Sequence, residues 1–262
     1  MDFLKEKFDI IIQGGQSNAE GTGRGPVDSE WKPSPNCFYL EAEKTVELKD
    51  EKLVITYADK PLAIIEANER EKNGEIWGDF SLTFAKSYEK AGLLKDGRKL
   101  LIVRAAVGGT GFKKGFWGIE DVLYVKMLEM IDYALSLNPE NKIVAFLWHQ
   151  GEHDAFEKNE PSVYHHQLKL MIDEVRARYG NMPFIAGDFC NEWKSKNLAD
   201  CEPIIEVIRS VMKEVGNAGF VETSDLLSNN QKYANGDDIH FCRQSLRELG
   251  CRYFSAYKKL KN

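Results

Sequence analysis

The polar residues best suited to chemistry lie at opposite ends of the chain. Ser17 sits in the glycine-rich segment "GGQSNAEG" at residues 14–21, directly after a run of branched apolar residues. A serine hydroxyl becomes a nucleophile only when a positioned base takes its proton, and a serine in such a place is also a common helix cap. Gly14 and Gly15 would permit a sharp backbone corner before the serine. Both interpretations stay open on this segment alone.

A suitable base occurs near the C-terminus, in "NGDDIHFCRQS" at residues 235–245. Asp237 and His240 are three residues apart, so one turn can bring both side chains to the same side. The carboxylate would then fix the imidazole tautomer and leave the other ring nitrogen to face Ser17. Asp238 is the rival carboxylate and is the less well spaced of the two. The alternative is a surface turn followed by a histidine at a helix start, because short motifs often arise by chance.

Two further segments offer donors for a developing negative charge. In "AAVGGTGF" (105–112) a backbone N–H of Gly109, or of the adjacent Gly108, could point at an oxyanion. In "LWHQGEHDA" (147–155) the Gln150 amide could donate a hydrogen bond without titrating. The first segment could equally be a plain glycine turn.

The same "HQGEH" segment formally matches H-x-x-E-H, a zinc-hydrolase pattern. That chemistry needs His149 and His153 on one helix face, whereas here the motif follows an apolar strand directly and contains Gly151. We therefore expect no metal and no other cofactor. Glu152 and Asp154 are better interpreted as carboxylates that hold the surrounding loops, and His153 as a residue of the rim.

Aromatic residues near these segments have two possible roles. Phe112, Phe116 and Trp117 could line or cap a ligand pocket, or they could pack a helix against the sheet. Trp31 and Trp77 are further candidates for the wall of such a pocket, as is the hairpin described below. For these, packing in the core or the insert is the favoured interpretation, since aromatic side chains are mostly buried.

The elements that must position these residues follow from the apolar pattern. Four runs are apolar on consecutive positions, which is typical of parallel strands covered on both faces: 8–13, 99–107, 142–148 and 182–189. Amphipathic helices and one short strand alternate with them: helices at 77–92, 119–137, 162–180, 202–216 and 245–261, and a strand at 218–224. In the 119–137 helix we expect a buried stripe: Val122, Val125, Leu128, Ile131 and Leu135.

This alternation predicts a three-layer α/β/α sandwich with a parallel sheet. A β-hairpin insert is expected near 45–57, and we predict one domain over residues 1–262. Ligands bind open sheets of this kind where the strands end. The segments with Ser17, Gly109 and Gln150 each follow a predicted strand, so all three should meet at one edge.

Composition excludes several classes of protein. The net charge of −6 gives no basic footprint for nucleic acid, and no apolar stretch reaches the roughly 20 residues needed to span a bilayer. The beginning, "MDFLKEKFDIII", mixes charges with apolar residues, unlike a signal peptide. The five cysteines lack Cys-x-x-Cys spacing and are expected to be reduced thiols. We expect a cytoplasmic protein that binds neither nucleic acid nor membranes.

Taken together, the blocks "GQSN", "GGT", "HQGExD" and "DxxHF" resemble those of the SGNH hydrolases. The resemblance runs from residue 10 to about 252. Within these hydrolases, the chain most resembles the sialate O-acetylesterase-like branch, which includes the acetyl xylan esterases of carbohydrate esterase family 6. It implies a flavodoxin-like sheet of about five parallel strands and a serine esterase that removes acetyl groups from sugars.

Carried over by position, the resemblance makes Ser17 the nucleophile, His240 the base and Asp237 the residue that orients it. The oxyanion donors would be the Ser17 N–H, the Gly109 N–H and the Gln150 amide. Asn18 and Glu152 would help to position these catalytic residues without contacting the substrate.

The chain departs from the usual pattern at two positions, neither of them in the triad. His153 replaces the serine of "GESDA", and Asp79 stands in "WGDF" where "WGPE" is usual. These departures bear on the substrate, for which we expect an acetylated oligosaccharide of the acetyl xylan type. A sialate O-acetylesterase or another short-chain acyl esterase is the alternative, and a non-catalytic sugar-binding relative is a third possibility. The sequence gives no expectation for the oligomeric state.

Overall fold

The computed structural model describes residues 2–26, 30–72 and 74–261. The strands are β1 (Lys7–Gly15), β2 (Cys37–Glu41), β3 (Lys44–Lys49), β4 (Lys52–Tyr57), β5 (Ala63–Glu66), β6 (Arg70–Lys72), β7 (Glu75–Trp77), β8 (Arg98–Arg104), β9 (Lys142–His149), β10 (Phe184–Gly187) and β11 (Ala218–Val221). The helices are α1 (Ser17–Glu20), α2 (Phe80–Lys90), α3 (Val122–Ser136), α4 (Glu152–Phe156), α5 (Pro161–Tyr179), α6 (Asn191–Lys196), α7 (Leu198–Glu214), α8 (Asn229–Tyr233) and α9 (Arg243–Lys261), with a 3-10 turn at Phe3–Lys5.

The central sheet has seven strands in the order β11-β10-β9-β1-β8-β2-β5. Neighbouring strands are parallel except at the edge, where β5 runs antiparallel to β2. The predicted three-layer α/β fold is therefore confirmed, with one more parallel strand than expected. That strand, β2, pairs with β8 from Cys37 to Leu40, and its short run of apolar residues was not recognised in the sequence.

The central strand β1 shows why the sheet is covered on both faces. Ile10 and Ile12 face one hydrophobic cluster, which contains the buried sides of α3, α5 and α7. Ile11 faces a second cluster, formed with α2 and α9. All three isoleucines are fully buried, as expected for a strand with helices packed on both faces.

Helix α3 differs from its prediction in the face that it buries. Val122 and Val125 of the expected stripe are 40% and 50% exposed. The buried stripe begins one residue later, with Leu123 and Met127, and includes Ile131 of the expected stripe. The helix carries apolar residues on two adjacent stripes, so its periodicity did not determine which one faces the sheet.

Helix boundaries follow the expected punctuation in one case and not in another. Helix α5 has Pro161 at its first turn and ends at Gly180, as predicted. Helix α7 begins at Leu198, before the expected start, and contains Pro203 in its interior. Pro203 cannot donate the hydrogen bond that a helical residue makes to the carbonyl four positions earlier, which is why the sequence suggested a later start.

The insert before α2 contains the predicted hairpin, formed by β3 and β4 in antiparallel register from Lys44–Tyr57 to Lys49–Lys52. A second two-stranded ribbon joins β6 to β7. Within the described part of the chain, no helix combines the length and apolar character that crossing a membrane requires.

Candidate active site

The carboxyl ends of β1, β8 and β9 meet at one edge of the sheet, as the strand order predicts. The chain turns sharply after β1 at Gly15, whose φ is +128°. A Cβ at this position would lie 2.1 Å from the carbonyl oxygen of His149. The Gln16 N–H donates to that same carbonyl at 2.9 Å. Only glycine fits this corner, and the corner directs Ser17 toward the edge of the sheet.

Ser17 is the first residue of the four-residue helix α1 and is 8% exposed. Its Oγ lies 2.8 Å from the Nε2 of His240. The Nδ1 of His240 lies 2.8 Å from the Oδ1 of Asp237. The structure thus brings the three residues singled out in the sequence into one hydrogen-bonded chain, although Ser17 and His240 are 223 residues apart.

Asp237 is held by more than the histidine ring. Its carboxylate also accepts from the Asn229 Nδ2 at 2.9 Å and from the His240 N–H at 3.3 Å. Burial raises the pKa of Asp237, but the hydrogen bond and charge of His240 and the bond from Asn229 outweigh it, so the pKa lies below its usual value. The rival Asp238 instead contacts Lys196 at 2.9 Å. Geometry therefore pairs Asp237, and not Asp238, with His240.

Asn18 forms hydrogen bonds with the backbone of both residues that flank His240. Its Nδ2 donates to the carbonyl of Ile239 at 3.1 Å, and its Oδ1 accepts from the N–H of Phe241 at 3.1 Å. The same Nδ2 donates to the Oε1 of Glu152 at 2.9 Å. The residues before and after His240 are thereby fixed to α1, the helix that carries Ser17.

Glu152 is completely buried behind Asn18. Its Oε1 lies 3.5 Å from the Nε2 of His149, whose Nδ1 contacts the hydroxyl of Tyr253 at 3.0 Å. Burial raises the pKa of Glu152, but the interactions with His149 and the hydrogen bond from Asn18 dominate, so its pKa is below its usual value. Glu152 is thus held as a carboxylate that orients the Asn18 amide.

The backbone N–H groups of Ser17 and Gly109 are the candidate oxyanion donors. The Ser17 N–H is at the first position of a helix and has no partner within that helix. Gly109 lines the same cavity as Ser17, and its N–H has no backbone acceptor among the described residues. The neighbouring Gly108 N–H is already bonded to the Glu20 Oε2 at 2.8 Å. Of the two candidate glycines, Gly109 is the one available to a ligand.

Gln150 is placed differently from the expectation. It is almost fully buried, and its Nε2 donates to the Asp154 Oδ2 at 2.7 Å. The same nitrogen lies 3.3 Å from the Oε1 of Gln16 and from the carbonyl of Thr110. Gln150 is not among the residues that line the Ser17 cavity. Its amide supports the loops around the site and is not directed into the open cavity.

Asp154 holds the loop that follows β8. It accepts the N–H groups of Phe112 and Lys113 at 3.0 and 2.9 Å, as the sequence suggested for a carboxylate at this position. The H-x-x-E-H residues do not share a helix, because His149 ends β9 and Gly151 precedes α4.

The cavity in front of Ser17 has a volume of about 440 Å³ and is lined partly by Gln16, His153, Phe156 and Trp193. Phe156 is 70% exposed, which is unusual for a large apolar ring. Burial lowers the pKa of His153, which favours a neutral imidazole at this rim. Neither Phe156 nor Trp193 was selected in the sequence, where no periodic pattern distinguishes them.

The aromatic residues that the sequence did select lie elsewhere. Phe112, Phe116 and Trp117 are buried in the core, so the packing interpretation holds for all three. Trp31 is contacted by the Arg247 guanidinium at 4.2 Å and does not line the Ser17 cavity. Trp77 lines a neighbouring cavity that also contacts His240.

Comparison of the sequence with known protein families identifies one family for this chain. The profile described as "carbohydrate esterase, sialic acid-specific acetylesterase" matches residues 7–259. A probable 9-O-acetyl-N-acetylneuraminic acid deacetylase of Escherichia coli (strain K12) is 24% identical over 126 residues, which cover 38% of this chain and 39% of that protein. The chain therefore aligns with less than half of that relative.

Solved structures share the fold over nearly the whole chain. NanS superposes with a TM-score of 0.72 at 18% identity, covering 98% of both chains. A protein of Arabidopsis thaliana gives a TM-score of 0.65 at 20% identity, covering 96% of this chain and 98% of its own. A carbohydrate acetylesterase from Xanthomonas citri gives 0.61 at 18% identity, covering 96% of this chain and 56% of its own. With its profile match over almost all residues, this chain belongs to the carbohydrate esterase family of sialic acid-specific acetylesterases.

Proposed function

We propose that this protein is a serine esterase that removes O-acetyl groups from carbohydrates, with Ser17, His240 and Asp237 as its catalytic triad. The observation that carries the proposal is the continuous chain of contacts, 2.8 Å from Ser17 Oγ to His240 and 2.8 Å from His240 to Asp237. This is the geometry in which a histidine takes the proton of a serine while a carboxylate holds its tautomer.

In the proposed reaction, His240 removes the Ser17 proton as the Oγ attacks the acetyl carbonyl carbon. The Ser17 and Gly109 N–H groups stabilise the oxyanion of the tetrahedral intermediate. When the intermediate collapses, the bond to the sugar oxygen breaks and His240 returns the proton to that oxygen. A water molecule, deprotonated by His240, then attacks the acetyl-serine; the bond to the Ser17 Oγ breaks, His240 returns the proton to that oxygen, and acetate is released.

Gln150 enters this proposal in a supporting role. Its amide nitrogen is engaged by Asp154, and turning it toward the substrate would leave the buried Asp154 oxygen with one donor fewer. Two backbone donors therefore form the oxyanion hole, and Gln150 fixes the position of Gln16 behind Ser17.

For the substrate we propose an O-acetylated sialic acid in preference to acetyl xylan. The family description and the partial match to a sialic acid deacetylase support this choice. A neutral acetylated oligosaccharide, such as a xylo-oligosaccharide, is the second candidate. The exposed Phe156 ring at the rim of the cavity suits this candidate as well as a sialic acid, because an aromatic face can stack on the apolar face of any pyranose.

The test measures acetate released from 9-O-acetylated sialic acid and from acetylated xylo-oligosaccharides, with wild-type protein and the Ser17→Ala variant. We expect wild-type turnover of the sialic acid ester and a loss of about 10⁴-fold or more in the variant. Wild-type rates in Ser17→Ala would overturn the triad. Binding of the sugar without turnover by the wild-type protein would instead indicate a non-catalytic relative.

A further inference from the structure

A second cavity adjoins the proposed triad at Asp237 and His240. It has a volume of about 330 Å³ and shares His240 with the Ser17 cavity. Its other lining residues include Arg24, Trp77 and Asp237. A substrate that reaches from one cavity to the other would pass over the imidazole of His240.

Arg24 is the notable side chain of this second cavity. Its guanidinium lies over the ring of Trp77, 5.4 Å from the ring centre, and the residue is partly buried. Among the described residues no carboxylate lies within 4.0 Å of it, although most partly buried arginines of this protein are paired, as Arg98 is with Asp9. Since a guanidinium keeps its charge at any physiological pH, Arg24 presents a permanent positive charge to the cavity.

The backbone beneath Arg24 is fixed to the proposed triad through one buried side chain. The Arg24 N–H donates to the Oδ1 of Asn229 at 2.9 Å. The Nδ2 of Asn229 donates to the Oδ2 of Asp237 at 2.9 Å and lies 3.2 Å from the Thr22 carbonyl. On its other side, the Arg24 carbonyl accepts from the Arg243 N–H at 3.1 Å. These hydrogen bonds therefore fix the position of the Arg24 backbone relative to His240.

We propose that Arg24 binds the carboxylate of an acidic sugar whose acetyl ester lies at Ser17, an inference that rests on the proposed function. Trp77 covers one face of the guanidinium, so its N–H edge remains to meet a planar carboxylate through two parallel hydrogen bonds. A nine-carbon sialic acid carries its carboxylate and its C9 ester at opposite ends, and two cavities that share His240 could receive one end each. Asp237 does not repel this group strongly, since its charge is shared among hydrogen bonds from His240 and Asn229.

The experiment changes the charge of protein and ligand in turn. Values of kcat/KM are measured for the wild type and Arg24→Gln with 9-O-acetylated N-acetylneuraminic acid and with its C1 methyl ester, which lacks the negative charge. We expect Arg24→Gln to lower kcat/KM for the acid by about 10- to 100-fold, the usual effect of losing a charge-assisted hydrogen bond. The loss for the methyl ester should be much smaller. Arg24→Lys keeps the positive charge but cannot form two parallel hydrogen bonds, so its kcat/KM for the acid should lie between the values of the wild type and Arg24→Gln.

Arg70→Gln is the matched control. Arg70 lines a separate cavity of about 460 Å³ beside Glu20, and its loss should leave the ratio of acid to methyl-ester activity unchanged. Equal losses on acid and methyl ester in Arg24→Gln, or no loss on either, would overturn the inference. If only Arg70→Gln changed the ratio of acid to methyl-ester activity, the inference would be wrong and the carboxylate would bind in the Arg70 cavity.

Binding separates this inference from the proposed function. The acid is titrated into Ser17→Ala and into Ser17→Ala/Arg24→Gln by calorimetry, after thermal unfolding has shown that both are folded. We expect the Kd to rise by about 10- to 100-fold in the double variant. If the wild type lacks esterase activity but this shift is found, the proposed function fails and the carboxylate site stands. If the esterase is active and the Kd shift is absent, the proposed function stands and the carboxylate site at Arg24 is wrong.

Discussion

The contact between Asn18 and Glu152 can be tested by exchanging the amide and the carboxylate. In Asn18→Asp a second carboxylate replaces the Nδ2 that donates to the Glu152 Oε1 at 2.9 Å and to the Ile239 carbonyl at 3.1 Å. Both side chains are fully buried, so the repulsion is weakly screened. We expect the variant to lose about 3–5 kcal/mol of stability, as when a buried charge is left uncompensated.

The reciprocal exchange should recover part of this loss. In Asn18→Asp/Glu152→Gln, the new glutamine amide can donate to the new aspartate, although the Ile239 carbonyl stays without its donor. We expect a coupling free energy of about 1–3 kcal/mol between the two substitutions, which is within the range for residues in contact. The free energies of unfolding come from urea titrations of the four proteins, monitored by tryptophan fluorescence.

Activity provides the second readout of the same exchange. Because Asn18 holds the backbone on both sides of His240, Asn18→Asp should reduce kcat even under conditions where the variant is fully folded. The double variant should recover part of kcat along with its stability. Stabilities that add within about 0.5 kcal/mol would show that the two side chains are independent, and Glu152 would then not orient the Asn18 amide. An unchanged kcat in folded Asn18→Asp would refute the positioning of His240 by Asn18.

Three further predictions follow from the described geometry. Gly15→Ala should unfold the protein or cost at least about 4 kcal/mol, because its Cβ would lie 2.1 Å from a carbonyl oxygen. Gly92→Ala, at a φ of +71° and with nothing within 4 Å, should cost only about 1–2 kcal/mol in the same urea titration. Glu152 has a pKa below its usual value, so the stability that its carboxylate contributes should be complete above the usual pKa and be lost as the pH falls through the lowered pKa of the folded protein. The difference in free energy of unfolding between wild type and Glu152→Gln should therefore shrink on acidification, and a constant difference would contradict this. Phe156→Ala should raise KM for acetylated sugars several-fold with a smaller effect on ethyl acetate, and equal effects on both would argue against sugar stacking.

Much of the site could be predicted because its chemistry is local in sequence. The spacing of Asp237 and His240 put both on one turn, and the glycines before Ser17 indicated a corner that the structure contains. The strand ends also indicated which segments would meet, since parallel strands deliver their carboxyl ends to one edge of the sheet. These inferences needed only short-range geometry and one rule of topology.

What could not be predicted depends on packing between distant segments. Asn229 links Arg24 to Asp237 from a short helix whose sequence carries no chemical motif. Gln150 matched the expected residue type, yet the neighbouring Asp154 engages its amide. The exposed rim position of Phe156 follows from where α4 ends on the surface. Pattern alone cannot supply such contacts, because they depend on side-chain directions across the tertiary structure.

The distance in sequence between Ser17 and His240 has a consequence for how activity arises during folding. The histidine precedes α9, the last helix, which packs against α2 and β11. Contacts of such long sequence separation form slowly, and during synthesis this one must wait until His240 has left the ribosome. A nascent chain with all the strands of its sheet in place would still be inert, and in refolding the return of turnover should coincide with the docking of α9.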